Sequence, residues 1–124
     1  MPVVPAAALQ FAQLTGRQSA DPLPTGLDTG CSIRVVRIGP GPRTPHVHPR
    51  SAELAYVVEG AGTAWEGDVS TRVAAGDLLV IPRGVPHATV AGPTDLVLVC
   101  FFPYADLSAN LVELAGPVRG GADR

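Results

Sequence analysis

The sequence predicts an all-β fold, a single barrel or sandwich of short strands. Three observations carry the prediction. Short β-branched or apolar runs recur between residues 31 and 102. Clusters of Gly, Pro and Asp separate them, as turns require. Prolines 45, 49, 82 and 86 fall where those runs end, and a residue that cannot donate to a sheet ladder belongs at strand ends. At 124 residues the chain suits one compact domain. A domain of this size buries roughly two-thirds of the surface its unfolded chain exposes, so no disulfide staple is needed.

The elements follow in order. "PAAALQFAQL", residues 5–14, predicts a short helix with proline in its first turn. Residues 15–30 are rich in Gly, Pro, Thr and Asp and predict an irregular arm, so that 1–30 together form an N-terminal extension. "CSIRVVRI" begins the strands at Cys31, and "ELAYVVEG" supplies another. "GTAWEGDVSTRV" reads as a hairpin folded at Gly67-Asp68. "GDLLVIP", "HATVA" and "DLVLVCFF" complete a barrel spanning 31–105. Over 106–124, "SANLVELAG" predicts a short helix with Ser108 as N-cap and Gly116 past its end, and 117–124 are expected to fray.

Composition narrows the function classes. Hydrophobic residues make up 46% and charged residues 16%, too apolar for a disordered chain. The formal charge is −2 and no basic run occurs, which argues against nucleic-acid binding. All nine basic residues are arginine, which with abundant Ala, Gly and Pro points to a GC-rich bacterial genome. No stretch reaches the ~18 apolar residues of a membrane span. The N-terminal stretch lacks the basic region of a signal peptide, so the expectation is a soluble, cytoplasmic chain. Cys31 and Cys100 lack metal-ligand spacing and read as two buried free thiols.

The chemistry concentrates in "TPHVHPRSAELAYVVEG", Thr44 to Gly60. Residues i and i+2 of a strand share a face, so His46 and His48 project together. By the same parity Glu53, Ala55 and Val57 face one way, and Leu54, Tyr56 and Val58 the other. If the first set is interior, Glu53 enters an apolar cavity, where an unpaired carboxylate is costly. Imidazoles holding a divalent cation remove that objection. His87, on another strand, closes the set. A lone histidine near a strand end is more often a hydrogen-bonded structural residue than a ligand. The joint pattern of three nitrogens and one oxygen suits a first-row divalent transition metal, with water or substrate completing an octahedron.

These segments resemble the cupin superfamily, and within it the small single-domain bacterial members with germin-like motifs. The first cupin motif matches "GPRTPHVHPRSAELAYVVEG", Gly41 to Gly60, and the second "GDLLVIPRGVPHATVA", Gly76 to Ala91, with fifteen residues between them. The resemblance covers about residues 31–102 and implies a jelly-roll β-barrel whose metal ligands fall on His46, His48, Glu53 and His87. "PHVHPRSAE" and "VIPRGVPH" are most similar to germins and germin-like proteins. Two departures matter. The glycine preceding the histidine pair stands one residue closer than usual, at Gly41. The asparagine that closes the second motif is Ala91 here. Asparagines help hold the substrate in oxalate-handling germins, so the fold and metal site are carried over and the oxalate substrate is not.

Other residues receive plainer readings. Gly60, Gly76 and Gly84 serve turns. Arg50 and Arg83 are solvated or pair with an acid such as Asp77. Tyr56, Trp65, Phe101 and Phe102 belong to the core or a subunit interface. Both faces of "LAYVVEG" and "DLVLVCFF" are apolar, so the outer face is covered by the N-terminal arm, the C-terminal helix or a second subunit, and a homodimer is expected. The functional expectation is a metal-dependent enzyme acting on a small organic molecule, with iron, manganese, nickel or zinc as its metal. Oxygenase or oxidase chemistry, dioxygenase-like and set in secondary metabolism, comes first. Redox-neutral isomerase, cyclase, decarboxylase or lyase chemistry and a non-catalytic ligand-binding barrel are the alternatives. Glu53 is the first candidate base, and Tyr56 comes after it because its strand parity points away from Glu53.

Overall fold

The computed structural model describes residues 1–120. Within them are the strands β1 (Ala12–Leu14), β2 (Arg17–Ala20), β3 (Ser32–Ile38), β4 (His46–Val47), β5 (Glu53–Glu59), β6 (Ala61–Glu66), β7 (Val69–Ala74), β8 (Leu78–Ile81), β9 (His87–Ala91), β10 (Leu96–Phe102) and β11 (Val112–Glu113). They form two sheets, one ordered β1-β2-β3-β10-β5-β8 and the other β11-β4-β9-β6-β7. Every pairing is antiparallel. Two antiparallel sheets packed face to face make the all-β jelly-roll barrel that the strand pattern predicts.

Strand parity decides what lies inside. On β10, Leu96, Leu98, Cys100 and Phe102 are buried and the residues between them only partly so. On β5, Glu53, Ala55 and Val57 are buried while Tyr56 and Val58 are exposed, as the period-two reading requires. Val36, Ile38, Leu79, Ile81 and Ala91 join them in one hydrophobic core. β6 and β7 form the expected hairpin across Gly67-Asp68. Gly60 turns the chain between β5 and β6 at φ +87°, and a Cβ there would lie 2.2 Å from the Asp95 carbonyl oxygen. Glycine alone fits so close a backbone approach.

The terminal segments depart from expectation. Residues 5–14 are not a helix: a single 3-10 turn at Ala6–Ala8 precedes β1. A lone helix of ten residues is marginal without an apolar face to bury. Here the chain gains more by folding back through the two-residue turn Thr15-Gly16 and pairing β2 with β3. The supposed arm therefore widens the six-stranded sheet. The expected C-terminal helix is likewise one 3-10 turn, Leu107–Asn110, capped by Asp106 rather than Ser108. The next residues pair as β11 with β4, whose edge a helix would leave unpartnered. Residues 117–119 are not frayed, since Arg43 and Arg119 exchange backbone hydrogen bonds of 2.9 and 2.6 Å. The remainder of the expected frayed tail, 121–124, lies outside the described residues.

Neither terminal segment covers β5 and β8. Tyr56, Val58, Leu78 and Val80 are 49%, 49%, 57% and 63% exposed on the outer face of that sheet. Both cysteines are free as expected, but Cys31 is only partly buried. Among the described residues no helix is long and apolar enough to cross a membrane.

Candidate metal centre

Three segments bring the four predicted residues together. β4 carries His46 at its first position, and His87 opens β9 directly opposite it in the ladder. His48 follows β4 by one residue. A bend at Pro49–Ser51 then reverses the chain so that Glu53 starts β5 facing inward. All four side chains are buried, and their ligand atoms lie within 4.8 Å of one another. The imidazole centroids are 4.3 Å apart for His46 and His87, and 5.1 Å for each of the other pairs.

Hydrogen bonding fixes how two of the rings present themselves. His48 Nδ1 lies 2.7 Å from the Asn110 carbonyl oxygen, and His87 Nδ1 lies 2.8 Å from that of Val85. A carbonyl only accepts, so each Nδ1 carries a proton and each ring turns its Nε2 inward. Both Nε2 atoms lie 3.0 Å from Glu53 Oε1. Two ring nitrogens thus converge on one carboxylate oxygen, and a bound cation would take the place of any proton held between them. His48 Nε2 has no aligned hydrogen bond, and neither does the buried Nδ1 of His46. Histidines whose outer nitrogens donate to carbonyls while the inner ones converge on a carboxylate have the outer support that metal-ligating histidines show.

The electrostatics agree. Burial, reinforced by His87, Arg17 and Arg43, lowers the His46 pKa to about 2 and keeps that ring neutral. Burial alone would raise the Glu53 carboxyl, but the imidazole nitrogens of His48 and His87 at 3.0 Å outweigh it and hold the group below the usual carboxylate range. Neutral imidazole and ionised carboxylate are the protonation states a divalent cation needs. The buried group can bind such a metal.

Several residues of the site escape the sequence reading. Arg17 on β2 and Arg43 before β4 are buried and line the same cavity as the four donors. Arg43 Nη1 donates to the Thr89 carbonyl at 2.6 Å. Arg17 Nη1 donates to the Thr15 carbonyl at 2.9 Å and lies 3.0 Å from Glu113 Oε2. The fully buried Asn110 accepts from the Arg50 backbone N–H at 2.7 Å and donates to Ser51 Oγ at 2.8 Å, tying down the bend between His48 and Glu53. Phe102 packs on His48 with centroids 4.6 Å apart, so one of the expected core aromatics is also a wall of the site. Burial, then the neighbouring Glu53 charge, pushes the Cys100 thiol well above its ordinary pKa and leaves it an inert wall residue. Arg50 and Arg83 are exposed, and Arg83 Nε donates to the Pro49 carbonyl rather than pairing with Asp77, which bonds the Ala74 N–H. Trp65 is only partly buried, and the Arg119 guanidinium lies 4.5 Å over its ring.

Barrel and donor set together define a class, a small β-barrel with a buried three-histidine, one-glutamate cluster in its interior. The Cupin_2 family, described as the cupin domain, matches residues 34–102, and the chain belongs to that family. Among curated relatives it is 31% identical over 83 residues to germin-like protein 9-1 of Oryza sativa subsp. japonica, covering 61% of this chain and 34% of that one. It is 35% identical over 95 residues to oxalate oxidase GF-3.8 of Triticum aestivum, covering 68% and 42%. The chain thus spans well under half the length of these relatives. Among solved structures it superposes on Streptomyces Pac13, described as a nucleoside dehydratase, with a TM-score of 0.74 over 92% of this chain at 13% identity. Bacillus subtilis oxalate decarboxylase gives a TM-score of 0.71 over 85% of this chain and 30% of its own, at 20% identity. At such identities the superpositions speak to the fold alone.

Proposed function

We propose that this chain is a metal-dependent enzyme acting on a small organic molecule, with His46, His48, Glu53 and His87 as its metal ligands. The observation that carries the reading is the convergence of two carbonyl-anchored imidazoles on one buried carboxylate oxygen, each Nε2 at 3.0 Å. A bound iron or manganese ion would bring substrate and O2 together, and manganese, nickel or zinc would act as a Lewis acid on a substrate oxygen. Oxygenase or oxidase chemistry is the leading reading, and the oxalate oxidase among the sequence relatives supports it. The redox-neutral alternative, an isomerase, cyclase, lyase or decarboxylase, draws support from the dehydratase and decarboxylase that share the fold.

The chain's own residues have definite parts in either case. The Asn110 and Val85 carbonyls orient His48 and His87. Phe102, Leu98, Val36 and Ile38 supply an apolar part of the cavity wall. Glu53 Oε1 is where a proton would be held if the carboxylate served as base. The exposed face of Tyr56, Val58, Leu78 and Val80 is the surface on which a homodimer would form, and the two free thiols fit a reducing, cytoplasmic setting. The test is elemental analysis of protein purified without chelator, followed by oxygen-uptake measurement on the metal found. One equivalent of iron or manganese with substrate-dependent uptake supports the oxidase reading. One equivalent of metal with turnover but no uptake supports the redox-neutral one. Failure to take up any first-row divalent metal ends both.

A further inference from the structure

Two buried guanidinium groups beside a metal-type cluster need a reason. A charge removed from water is costly unless it is paired and hydrogen-bonded. Arg17 is partly compensated by Glu113, whose side chain is 36% exposed. Arg43 is not: it is 5% exposed, and among the described residues it makes no ion pair and its buried Nε has no hydrogen-bond partner. Burial, then the neighbouring Arg17, lowers its pKa to about 10, so it remains charged at neutral pH. The guanidinium is also held in place. A Cβ at Gly16 would sit 3.1 Å from both Cγ and Nε of Arg43, so the β1-β2 turn closes directly over that side chain.

We infer that Arg17 and Arg43 form an anion subsite on the wall of the metal cavity, and that it takes the carboxylate of a small monocarboxylic acid. This rests on the metal-dependent reading above and names the substrate class for it. The charge count calls for an anion. Glu113 pairs with Arg17 and acts on Arg43 from further off, so the two guanidinium groups share one close carboxylate and the wall stays positive, and a divalent cation offset by Glu53 alone would add to that field. Arginine suits a carboxylate because its planar fork donates two parallel hydrogen bonds. The rest of the lining sets the body of the ligand. Val36, Ile38, Leu98 and Phe102 are apolar and favour a short hydrocarbon group over a second carboxylate. The cavity volume is about 40 Å³. That is room for about three water-sized groups, which suits an acid of a few heavy atoms. Neither arginine belongs to the metal cluster, and Arg17 comes from the N-terminal hairpin, outside the segment that matches the cupin family.

The test uses acetate, its neutral isostere acetamide, and chloride as a charge control. Each is titrated calorimetrically at constant ionic strength into metal-loaded wild type, Arg17→Gln and Arg43→Gln, and into metal-free wild type. Wild type is expected to bind acetate at least about tenfold more tightly than acetamide or chloride, the discrimination a charge-assisted pair supplies. Each substitution is expected to weaken acetate by about tenfold while metal content stays at that of wild type. Equal binding of acetate and acetamide, no acetate binding, or unchanged acetate binding in both variants overturns the inference. If neither variant folds, the acetate and acetamide comparison on wild type decides it. Metal loading with arginine-independent acetate binding sinks the subsite alone. Arginine-dependent acetate binding in a chain that takes up no metal sinks the metal reading and leaves the subsite standing.

Discussion

Replacing Asn110 with alanine tests whether the C-terminal turn is part of the metal site. The asparagine is fully buried and makes two side-chain hydrogen bonds, with the Arg50 N–H at 2.7 Å and Ser51 Oγ at 2.8 Å. Each bond contributes about 1 kcal/mol, and a buried partner left unsatisfied costs about 1–3 kcal/mol. Ser51 Oγ can still donate to the Ala52 carbonyl at 2.8 Å, so the Arg50 N–H is the group left stranded. The expected loss is about 3 kcal/mol, which for a domain of this size lowers Tm by roughly 10 °C. The substitution also acts on the metal. The Asn110 carbonyl orients the His48 ring, and the side chain fixes the bend that sets Glu53 against it. Loss of such outer support weakens metal affinity by about 10- to 100-fold. Urea denaturation of the metal-free protein gives the first quantity, and competition against a calibrated chelator the second. A variant destabilised as expected but with unaltered metal affinity would show that Asn110 holds the barrel together and has no part in the site.

Two further predictions follow from the same geometry. Acid should destabilise the metal-free protein from below about pH 6.5. The folded pKa of His46 lies far below its unfolded value, so in this range the unfolded chain binds the extra proton and stability falls with pH. That single group should remove about 1.4 kcal/mol by pH 5.5, and Glu53, also held low, adds to the loss once pH drops below its ordinary carboxylate range. Denaturation midpoints flat between pH 7 and 5 would contradict this. His48→Ala should strip most of the metal while leaving circular dichroism of a folded β protein. Undiminished metal content in that variant would remove His48 from the ligand set.

The centre of the fold was legible because its strands obey a two-residue period over seven residues or nearly so. Glu53, Ala55 and Val57 could be placed inward from alternation alone, and His46 with His48 followed from the same rule. The hairpin at Gly67-Asp68 announced itself through a two-residue turn. The termini were not legible in this way. "PAAALQFAQL" and "SANLVELAG" are rich in Ala and Leu, and local propensity favours helix there. Each strand in these segments is four residues or fewer, too short to show a period, and is held by pairing with β3 or β4 from distant sequence. Tertiary pairing overrides propensity in such cases. The loss was functional as well as topological. Arg17 was invisible once its strand was taken for an irregular arm, although Arg17 and Ser19 alternate as an inward face should. Arg43 stands three residues before His46, and that nearness to the donor set was the one signal in the sequence that could have drawn attention to it. Asn110 became meaningful only when the chain turned it back onto the His48 bend.

The account stands or falls on a single cation shared by His46, His48, Glu53 and His87. The most direct measurement is an anomalous-diffraction map from crystals of protein loaded with one equivalent of manganese. One strong peak within bonding distance, about 2 Å, of a ring nitrogen of each of His46, His48 and His87 and of the Glu53 carboxylate is the expected result. A map with no peak in that cavity, the Glu53 oxygen still bridged by protonated imidazoles, would contradict it.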